Sequence, residues 1–243
     1  MSGRGLPSWY KYRAYGPVYE EIRLAEHAAR LGSIHAFDRR GDVIWFDDFE
    51  HGVAKWDSLK GGADADFLPS VAACRNGGLS AKLVCASVTG KYMRIMKYLP
   101  YPVLGSFGVE ASFTLNPANS YTILDVYLYD GTNWLNVAIQ YSLITDRFSY
   151  RNSLGSMTVL AENLVLGESD KLFHTWKIAF DAPSQKYKRV ILNETNYDLS
   201  AQGLWVYPSD ISPRMEVRIE THTIGDVTVT SYLDDVIITQ NEP

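Results

Sequence analysis

The stretch Tyr121–Ser142, YTILDVYLYDGTNWLNVAIQYS, decides the fold class, because apolar residues recur at every second position on both sides of a turn. A side-chain period of two is the pattern of a β-strand with one face in a core. The run Asp130-Gly131-Thr132-Asn133 is rich in turn-forming residues and predicts a hairpin that reverses there. The positions predicted to face the core are Leu124, Val126, Leu128, Leu135, Val137 and Ile139.

Three further stretches repeat this pattern and extend it to most of the chain. FGVEASFTL (107–115) alternates apolar and polar residues, and FHTWKIAFDAPSQKYKRVILN (173–193) predicts a second hairpin. PRMEVRIET (213–221) predicts a core face and a solvated face of alternating charge carrying Glu216, Arg218 and Glu220. Because no helical period separates the roughly dozen strands, a parallel βαβ architecture is excluded. The expected fold is all-β, an antiparallel two-sheet jelly-roll sandwich.

The first 41 residues differ from the rest of the chain. They are aromatic and basic, and VYEEIRLAEHAARLG (18–32) predicts the one short helix. They carry a net charge of +3, which leaves −8 for the remainder of a chain whose total is −5. We therefore predict two parts, an N-terminal arm over 1–41 that docks on a neighbouring subunit and a sandwich over 42–243. The arm residues predicted to make these contacts are Trp9, Tyr10, Lys11, Tyr12, Arg13 and Tyr15.

Composition narrows the class of partner and the compartment. The net charge of −5 disfavours a nucleic-acid partner, and no apolar run approaches the length of a membrane span. The N-terminus lacks the apolar core of a signal peptide, so we expect cytoplasmic synthesis of a protein that ends in a virion or another extracellular assembly. Two cysteines do not make a disulfide framework.

Paired aspartates lie near both ends of the sandwich. WFDDFEHGVAKW (45–56) carries Asp47 and Asp48, and YLDDVIIT (232–239) carries Asp234 and Asp235. These two stretches, together with FHTWKIAFD and QKYKRVILN, resemble the concanavalin A-like jelly rolls, which include laminin-G-like domains, lectins and carbohydrate-binding modules. The resemblance covers about residues 43–243 and implies that the first and last strands are neighbours. A viral or phage structural member of this superfamily is one expectation.

The same resemblance implies a structural Ca²⁺ between the two chain ends, because carboxylates brought together repel unless a positive charge intervenes. Its expected ligands are Asp47 or Asp48, Glu50 and Asp235. The alternative is that Asp48 and Asp234 point to solvent, whereas Asp47 and Asp235 accept hydrogen bonds from loop amides. Adjacent aspartates on a strand face opposite sides, so only one of each pair can serve.

The sequence predicts a protein that is not an enzyme. Jelly-roll glycosidases of this superfamily place carboxylates in a Glu-x-Asp-x-(x)-Glu pattern that this chain lacks. Glu216 and Glu220 lie four residues apart on one strand, about 13 Å between backbones. That exceeds the roughly 5–9.5 Å between the two carboxyl groups of glycosidases.

The outer face of the Tyr121–Ser142 hairpin is the candidate binding surface. It combines aromatic rings with amides and carboxylates, and two arginines of the following strand are expected to join it. The predicted residues are Asp125, Tyr127, Tyr129, Trp134, Asn136, Gln140, Arg147 and Arg151. Such a face fits a sugar, a protein interface, or plain cross-strand aromatic pairing.

Two functional hypotheses follow from these observations. The first is a non-catalytic assembly protein, a capsid decoration or spike-type jelly roll whose arm clasps neighbouring subunits in a homo-oligomer or a larger shell. The second is a soluble carbohydrate-binding module that binds a glycan on the aromatic sheet face. The first predicts an oligomer that dissociates without residues 1–41, and the second predicts sugar affinity that is lost with Trp134.

Overall fold

The computed structural model describes residues 40–85, 87–88, 90–116, 119–223 and 226–243. These residues form strands joined by turns, as the two-residue period predicted. In chain order the strands are β1 (Asp42–Asp47), β2 (Asp57–Lys60), β3 (Asp66–Ser70), β4 (Ser80–Cys85), β5 (Tyr92–Pro100), β6 (Ser106–Leu115), β7 (Asn119–Tyr129), β8 (Asn133–Ser142), β9 (Arg147–Arg151), β10 (Met157–Ala161), β11 (Ser169–Asp181), β12 (Lys186–Leu192), β13 (Thr195–Asp198), β14 (Trp205–Pro208), β15 (Arg214–Thr223) and β16 (Val229–Gln240). Within the described ranges no helix is long and apolar enough to span a bilayer.

The strands form two antiparallel sheets. Sheet A has the order β13-β12-β11-β6-β16-β4-β3, with β1 added beside β16. Sheet B has the order β10-β9-β8-β7-β15-β5-β2, with β14 added beside β8. The predicted jelly-roll sandwich is therefore confirmed. The predicted neighbours β1 and β16 are paired as well, with Asp47 opposite Val236.

The core lies between the two sheets and consists of the apolar positions of the alternating strands. All six residues predicted to face inward from the Tyr121–Ser142 hairpin belong to it. Sheet A contributes aromatic residues such as Phe113 and Trp176, whose ring centroids are 4.1 Å apart. Side chains at every second position meet across the gap, and burying this apolar surface is the main favourable term in folding.

The turn between β7 and β8 forms where the sequence predicted it. The Asp130 carboxylate accepts hydrogen bonds from the backbone N–H groups of Thr132 (2.7 Å) and Asn133 (2.5 Å). Gly131 has φ +92°, a conformation that favours glycine. This turn sets the register in which Tyr129 lies opposite Trp134, and so it positions the aromatic residues of the outer face.

One prediction for β15 is wrong. Met215, Val217 and Ile219 face the core, but Glu216 and Glu220 on the other side are 1% and 5% exposed rather than solvated. The strand is central in sheet B, so its outward residues have large neighbours on both sides, such as Tyr127 opposite Glu216 and Arg94 opposite Glu220. Side chains on the adjacent strands cover the two carboxylates.

The predicted arm, apart from residues 40 and 41, and its predicted helix lie outside the described residues. This applies to Trp9, Tyr10, Lys11, Tyr12, Arg13 and Tyr15 and to the helix predicted over 18–32. The division of the chain at residue 41 therefore stays a prediction.

Candidate functional site

The outer face of sheet B, the side turned away from the core, brings together most of the predicted binding residues. Paired residues on neighbouring strands point to the same side, so the register forms rows across the sheet. One row contains Arg214 of β15, Tyr129 of β7, Trp134 of β8 and Tyr207 of β14. The next row contains Glu216, Tyr127, Asn136 and Trp205 on the same four strands.

An aromatic cluster occupies one end of these rows, and we define it as Tyr127, Tyr129, Trp134, Trp205 and Tyr207. Trp134 is at its centre, with ring centroids 5.0 Å from Tyr127, 5.3 Å from Trp205 and 5.9 Å from Tyr207. Tyr207 is 55% exposed, whereas Tyr127 and Tyr129 are buried beneath their neighbours. The cluster therefore exposes the Tyr207 ring to solvent, with buried aromatic rings beneath it.

Trp205 rests on a turn that only glycine fits. Gly155, between β9 and β10, has φ +82°, and a Cβ added there would lie 2.8 Å from the Cε2 atom of Trp205. On another side the Arg151 guanidinium carbon is 5.6 Å from the centroid of the Trp205 ring. The turn and Arg151 together fix the plane of this indole.

A polar network that contains Arg151 borders the cluster. The Asp125 carboxylate accepts hydrogen bonds from the Asn136 amide, from Arg151 (3.1 Å) and from the Tyr127 hydroxyl (3.0 Å). Arg151 also donates to the Asn136 side-chain oxygen at 2.5 Å. Burial raises the pKa of Asp125, and Arg151 and Asn136 oppose that rise. Burial and the charge of Asp125 raise the pKa of Tyr127 as well.

A tyrosine from the opposite sheet holds this network from below. Tyr187 of β12 accepts a hydrogen bond from the backbone N–H of Ala138 (3.1 Å) and donates one to the carbonyl of Arg151 (2.7 Å). The Tyr187 side chain crosses the sandwich, and the hydrogen bonds of its hydroxyl join β12 to β8 and β9. The network is thus attached to both sheets, which preorganises it for a ligand.

The charged residues of β15 complete the face. Arg218 donates to Glu216 at 2.5 Å, and its guanidinium carbon lies 4.0 Å from the centroid of the Tyr127 ring. Burial acts to lower the pKa of Arg218, but the hydrogen bond and charge of Glu216 outweigh burial and raise it. Glu220 bonds to Arg94 (2.6 Å) and His222 (2.9 Å), and these two contacts outweigh burial and lower its pKa.

Two of the predicted face residues lie apart from the aromatic cluster. Arg147 is half exposed and pairs with Glu162 at 3.1 Å near the edge strand β10. Gln140 lies two residues beyond Ala138, opposite Ile123 and Ser149, away from the rings.

The face also contains residues that the sequence did not predict. Trp205 and Tyr207, two positions apart in the short β14, were not considered, and Glu216 and Arg218 were assigned to solvent. Aromatic residues at a spacing of two are a signal for one face of a strand. The place of β14 beside β8 was not accessible from the sequence.

The residues expected to hold Ca²⁺ each have a partner of another kind. Asp47 accepts hydrogen bonds from Lys55 (2.8 Å), the Trp56 indole (3.0 Å) and the Phe49 amide (3.3 Å). Glu50 accepts from the backbone N–H groups that follow a turn, at positions 78 (2.7 Å) and 79 (2.8 Å). Backbone hydrogen bonds lower the pKa of Glu50.

The second aspartate pair bonds to the loop between β3 and β4. Asp235 accepts from Asn76 (2.6 Å) and lies 3.4 Å from the Arg75 guanidinium. Asp234 accepts from the backbone N–H groups of Arg75 (2.8 Å) and Asn76 (3.3 Å), so the alternative that pointed it to solvent is wrong. Burial and the charge of Asp235 raise the pKa of Asp234 to about 7. Burial raises the pKa of Asp235 to about 6, with Arg75 opposing the rise.

These contacts do not fit the expected Ca²⁺ site. Within the described part of the chain, no group of three or more His, Cys, Asp or Glu residues could hold a metal ion. Asp47 pairs with Lys55 at 2.8 Å, and Asp235 pairs with Arg75 at 3.4 Å. Calcium coordination needs six to eight oxygen ligands, and these carboxylates are already hydrogen-bonded to separate partners.

Comparison with solved structures finds the jelly-roll fold that the sequence resemblance implied. No protein-family model and no curated protein matches the sequence. The structure of "Cellulose induced protein, Cip1" superposes with a TM-score of 0.52 at 14% identity, over 80% of this chain and 96% of that one. The endo-β-1,4-glucuronan lyase of the fungus Trichoderma reesei superposes with a TM-score of 0.59 at 10% identity, over 82% and 96%. At these identities the likeness shows the fold alone.

Proposed function

We propose that this protein binds a carbohydrate on the outer face of sheet B. The observation that carries the proposal is the aromatic cluster, partly exposed, directly beside the buried network of Asp125, Asn136 and Arg151 on one sheet face. The predicted carbohydrate-binding module, the second of the two hypotheses, is the function that this geometry supports best.

The physical basis is the amphipathic character of a sugar. Its C–H faces pack on aromatic planes, and its hydroxyl groups need donors and acceptors of fixed direction. Trp134, Trp205 and Tyr207 supply the planes. Arg151, whose side chain is 15% exposed, supplies guanidinium donors, and the buried Asp125 and Asn136 fix its position before any ligand arrives.

The Trichoderma reesei structure supports the proposal in a general way. That protein has the same fold and is described as a lyase of glucuronan, a carbohydrate polymer. The present protein is predicted to bind without catalysis, and this prediction rests on the absence of a glycosidase carboxylate pattern. Glu216 and Glu220, the same-face pair, are each hydrogen-bonded to an arginine.

The assembly hypothesis is a separate prediction that the binding face does not test. It depends on residues 1–41, nearly all of which lie outside the described ranges. Glycan binding and subunit assembly are compatible, because the face described here belongs to strands β7, β8, β14 and β15 and not to the arm.

The test is affinity electrophoresis of the full-length protein in native gels containing soluble β-glucans, xylan, mannan or glucuronan, followed by calorimetry with oligomers of the best ligand. Tyr207→Ala removes an exposed ring without a cavity in the core, and we expect about 10-fold weaker binding, equivalent to about 1.4 kcal/mol. Val71→Ala, an exposed apolar residue in the β3–β4 loop of sheet A, is the control and should bind like the parent.

A second variant tests the geometry rather than the presence of a ring. Gly155→Ala removes no aromatic residue, but its Cβ displaces the Trp205 indole, so it should also weaken binding. Absence of retardation in all of the gels, or equal affinity for the parent and Tyr207→Ala, would contradict the proposed function.

A further inference from the structure

Arg214 lies at the end of the aromatic row and is held flat between two tyrosines. Its guanidinium carbon is 5.0 Å from the centroid of the Tyr98 ring and 5.2 Å from that of Tyr129. Trp134 follows Tyr129 in the same row, two strand spacings or about 10 Å from Arg214. A ligand that stacks on the aromatic cluster therefore extends to this guanidinium.

Arg214 differs in its hydrogen bonding from three other arginines of the face, Arg94, Arg151 and Arg218. Arg94, Arg151 and Arg218 each donate to a carboxylate, at 2.6, 3.1 and 2.5 Å. The nearest carboxylate oxygen to Arg214 is Oε2 of Glu216 at 3.7 Å, beyond hydrogen-bond distance. The Arg214 side chain is also 38% exposed, compared with 23%, 15% and 19% for the others.

The local charge favours an anion at this position. Arg214 and Arg218 face a single carboxylate, Glu216, so the three groups together carry a net charge of +1. The Glu216 Oε1 atom accepts the hydrogen bond from Arg218, so Arg214 has only the longer contact of 3.7 Å with Oε2. Among the described residues, the buried side-chain atoms without a hydrogen-bond partner include Arg214 Nε, Trp134 Nε1 and Glu216 Oε2. A buried donor without a partner, such as Arg214 Nε, costs free energy.

We propose that Arg214 is a specificity determinant for an acidic saccharide, and that it binds a carboxylate or sulfate group of a sugar stacked on the aromatic cluster. The inference deepens the proposed function and rests on it. A guanidinium presents paired N–H donors that match the oxygens of such a group, and stacking between two rings fixes its plane in advance. Since the whole chain is negative, the preference for an anion must come from this local charge.

The test compares ligands that differ only in charge. Calorimetry at low ionic strength measures binding of a β-1,4-linked glucuronate oligomer, the β-1,4-linked glucose oligomer of equal length, and a sulfated form of the latter. We expect the full-length protein to bind the glucuronate oligomer about 10-fold more tightly than the glucose oligomer, with the advantage decreasing as salt is added. Binding of the sulfated oligomer distinguishes a carboxylate site from a general anion site.

Variants then assign the preference to one residue. Arg214→Gln should bind the acidic and neutral oligomers equally. Arg147→Gln removes the same charge from the Glu162 pair near the sheet edge and should retain the preference. Arg214→Lys keeps the charge but not the planar guanidinium, so it should retain only part of the preference for the acidic oligomer. This variant also tests the inference if Arg214→Gln does not fold.

The outcomes separate the two proposals. Equal binding of acidic and neutral oligomers by the parent, or an equal loss of preference in Arg147→Gln and Arg214→Gln, overturns the inference and leaves the proposed function standing. Arg214 is then a structural clamp for Tyr98 and Tyr129. If no oligomer binds and Tyr207→Ala has no effect in the gels, the proposed function fails together with the inference.

Discussion

The buried Asp234–Asp235 pair predicts that stability decreases as the pH rises through the neutral range. The perturbation is the ionisation of Asp234, a fully buried carboxyl whose pKa burial and the neighbouring Asp235 raise to about 7. In the unfolded chain an aspartate has a pKa of about 3.9. Between these values the folded state holds a proton that the unfolded state has released.

The sign and size follow from linkage. Where the folded state binds more protons, the free energy of unfolding falls by about 1.4 kcal/mol per pH unit for each group. The contribution of Asp234 is complete below about pH 4, declines as the pH approaches 7 and is lost above it. Between pH 5 and pH 8 we therefore expect a loss of about 2.7 kcal/mol from Asp234 and about 1.4 kcal/mol from Asp235, or about 4 kcal/mol of unfolding free energy for the pair.

The assay is urea denaturation followed by tryptophan fluorescence at pH 5 and pH 8. Asp234→Asn keeps one side-chain acceptor for the loop amides and removes the carboxyl whose pKa is raised to about 7. It should reduce the pH dependence to about 1.4 kcal/mol, the part that Asp235 contributes. Asp210→Asn, an exposed residue, should retain the parent's dependence. A parent equally stable at both pH values, or a variant with undiminished pH dependence, would refute the reasoning.

Two further predictions concern the opposite sheet and the arm. Lys177 lies in a buried cluster, 2.9 Å from Glu110 and 2.6 Å from Glu242. Lys177→Met should lower the free energy of unfolding by about 3–5 kcal/mol in a urea titration, because it leaves the two carboxylates buried without the lysine cation. Lys60→Met removes an exposed lysine that pairs with Asp66 and should lower it by less than about 1 kcal/mol. Deleting residues 1–41 should dissociate the predicted oligomer, as seen by size-exclusion chromatography with light scattering. A monomeric full-length chain would contradict the assembly hypothesis.

Much of the fold was predictable because its information is local. The two-residue period of YTILDVYLYD and the turn residues after it act within a few positions, and the structure confirms both the hairpin and its core face. The pairing of β1 with β16 came from a resemblance and not from any local signal. That pairing is nonlocal, so no pattern within either strand could specify it.

The candidate site was predictable in part. Asp125, Tyr127, Trp134 and Asn136 belong to one hairpin, so their shared face follows from strand geometry. Trp205 joins them only because β14 pairs with β8. The charged residues of β15 were misassigned because alternation shows which side of a strand a residue faces, but not how large its neighbours on that side are.

The sequence by itself determined that the chain is a β-sandwich and which residues of each strand face its core, because hydrophobic burial follows a two-residue period that is visible in any one strand. Only the tertiary structure decided which strands are neighbours. Strand order places Arg214 in one row with Tyr129 and Trp134, covers Glu216 and Glu220, and brings Arg75 to Asp235. Each of these contacts joins residues distant in the chain, and their electrostatics depend on separation and burial, which exist only once the sheets have formed.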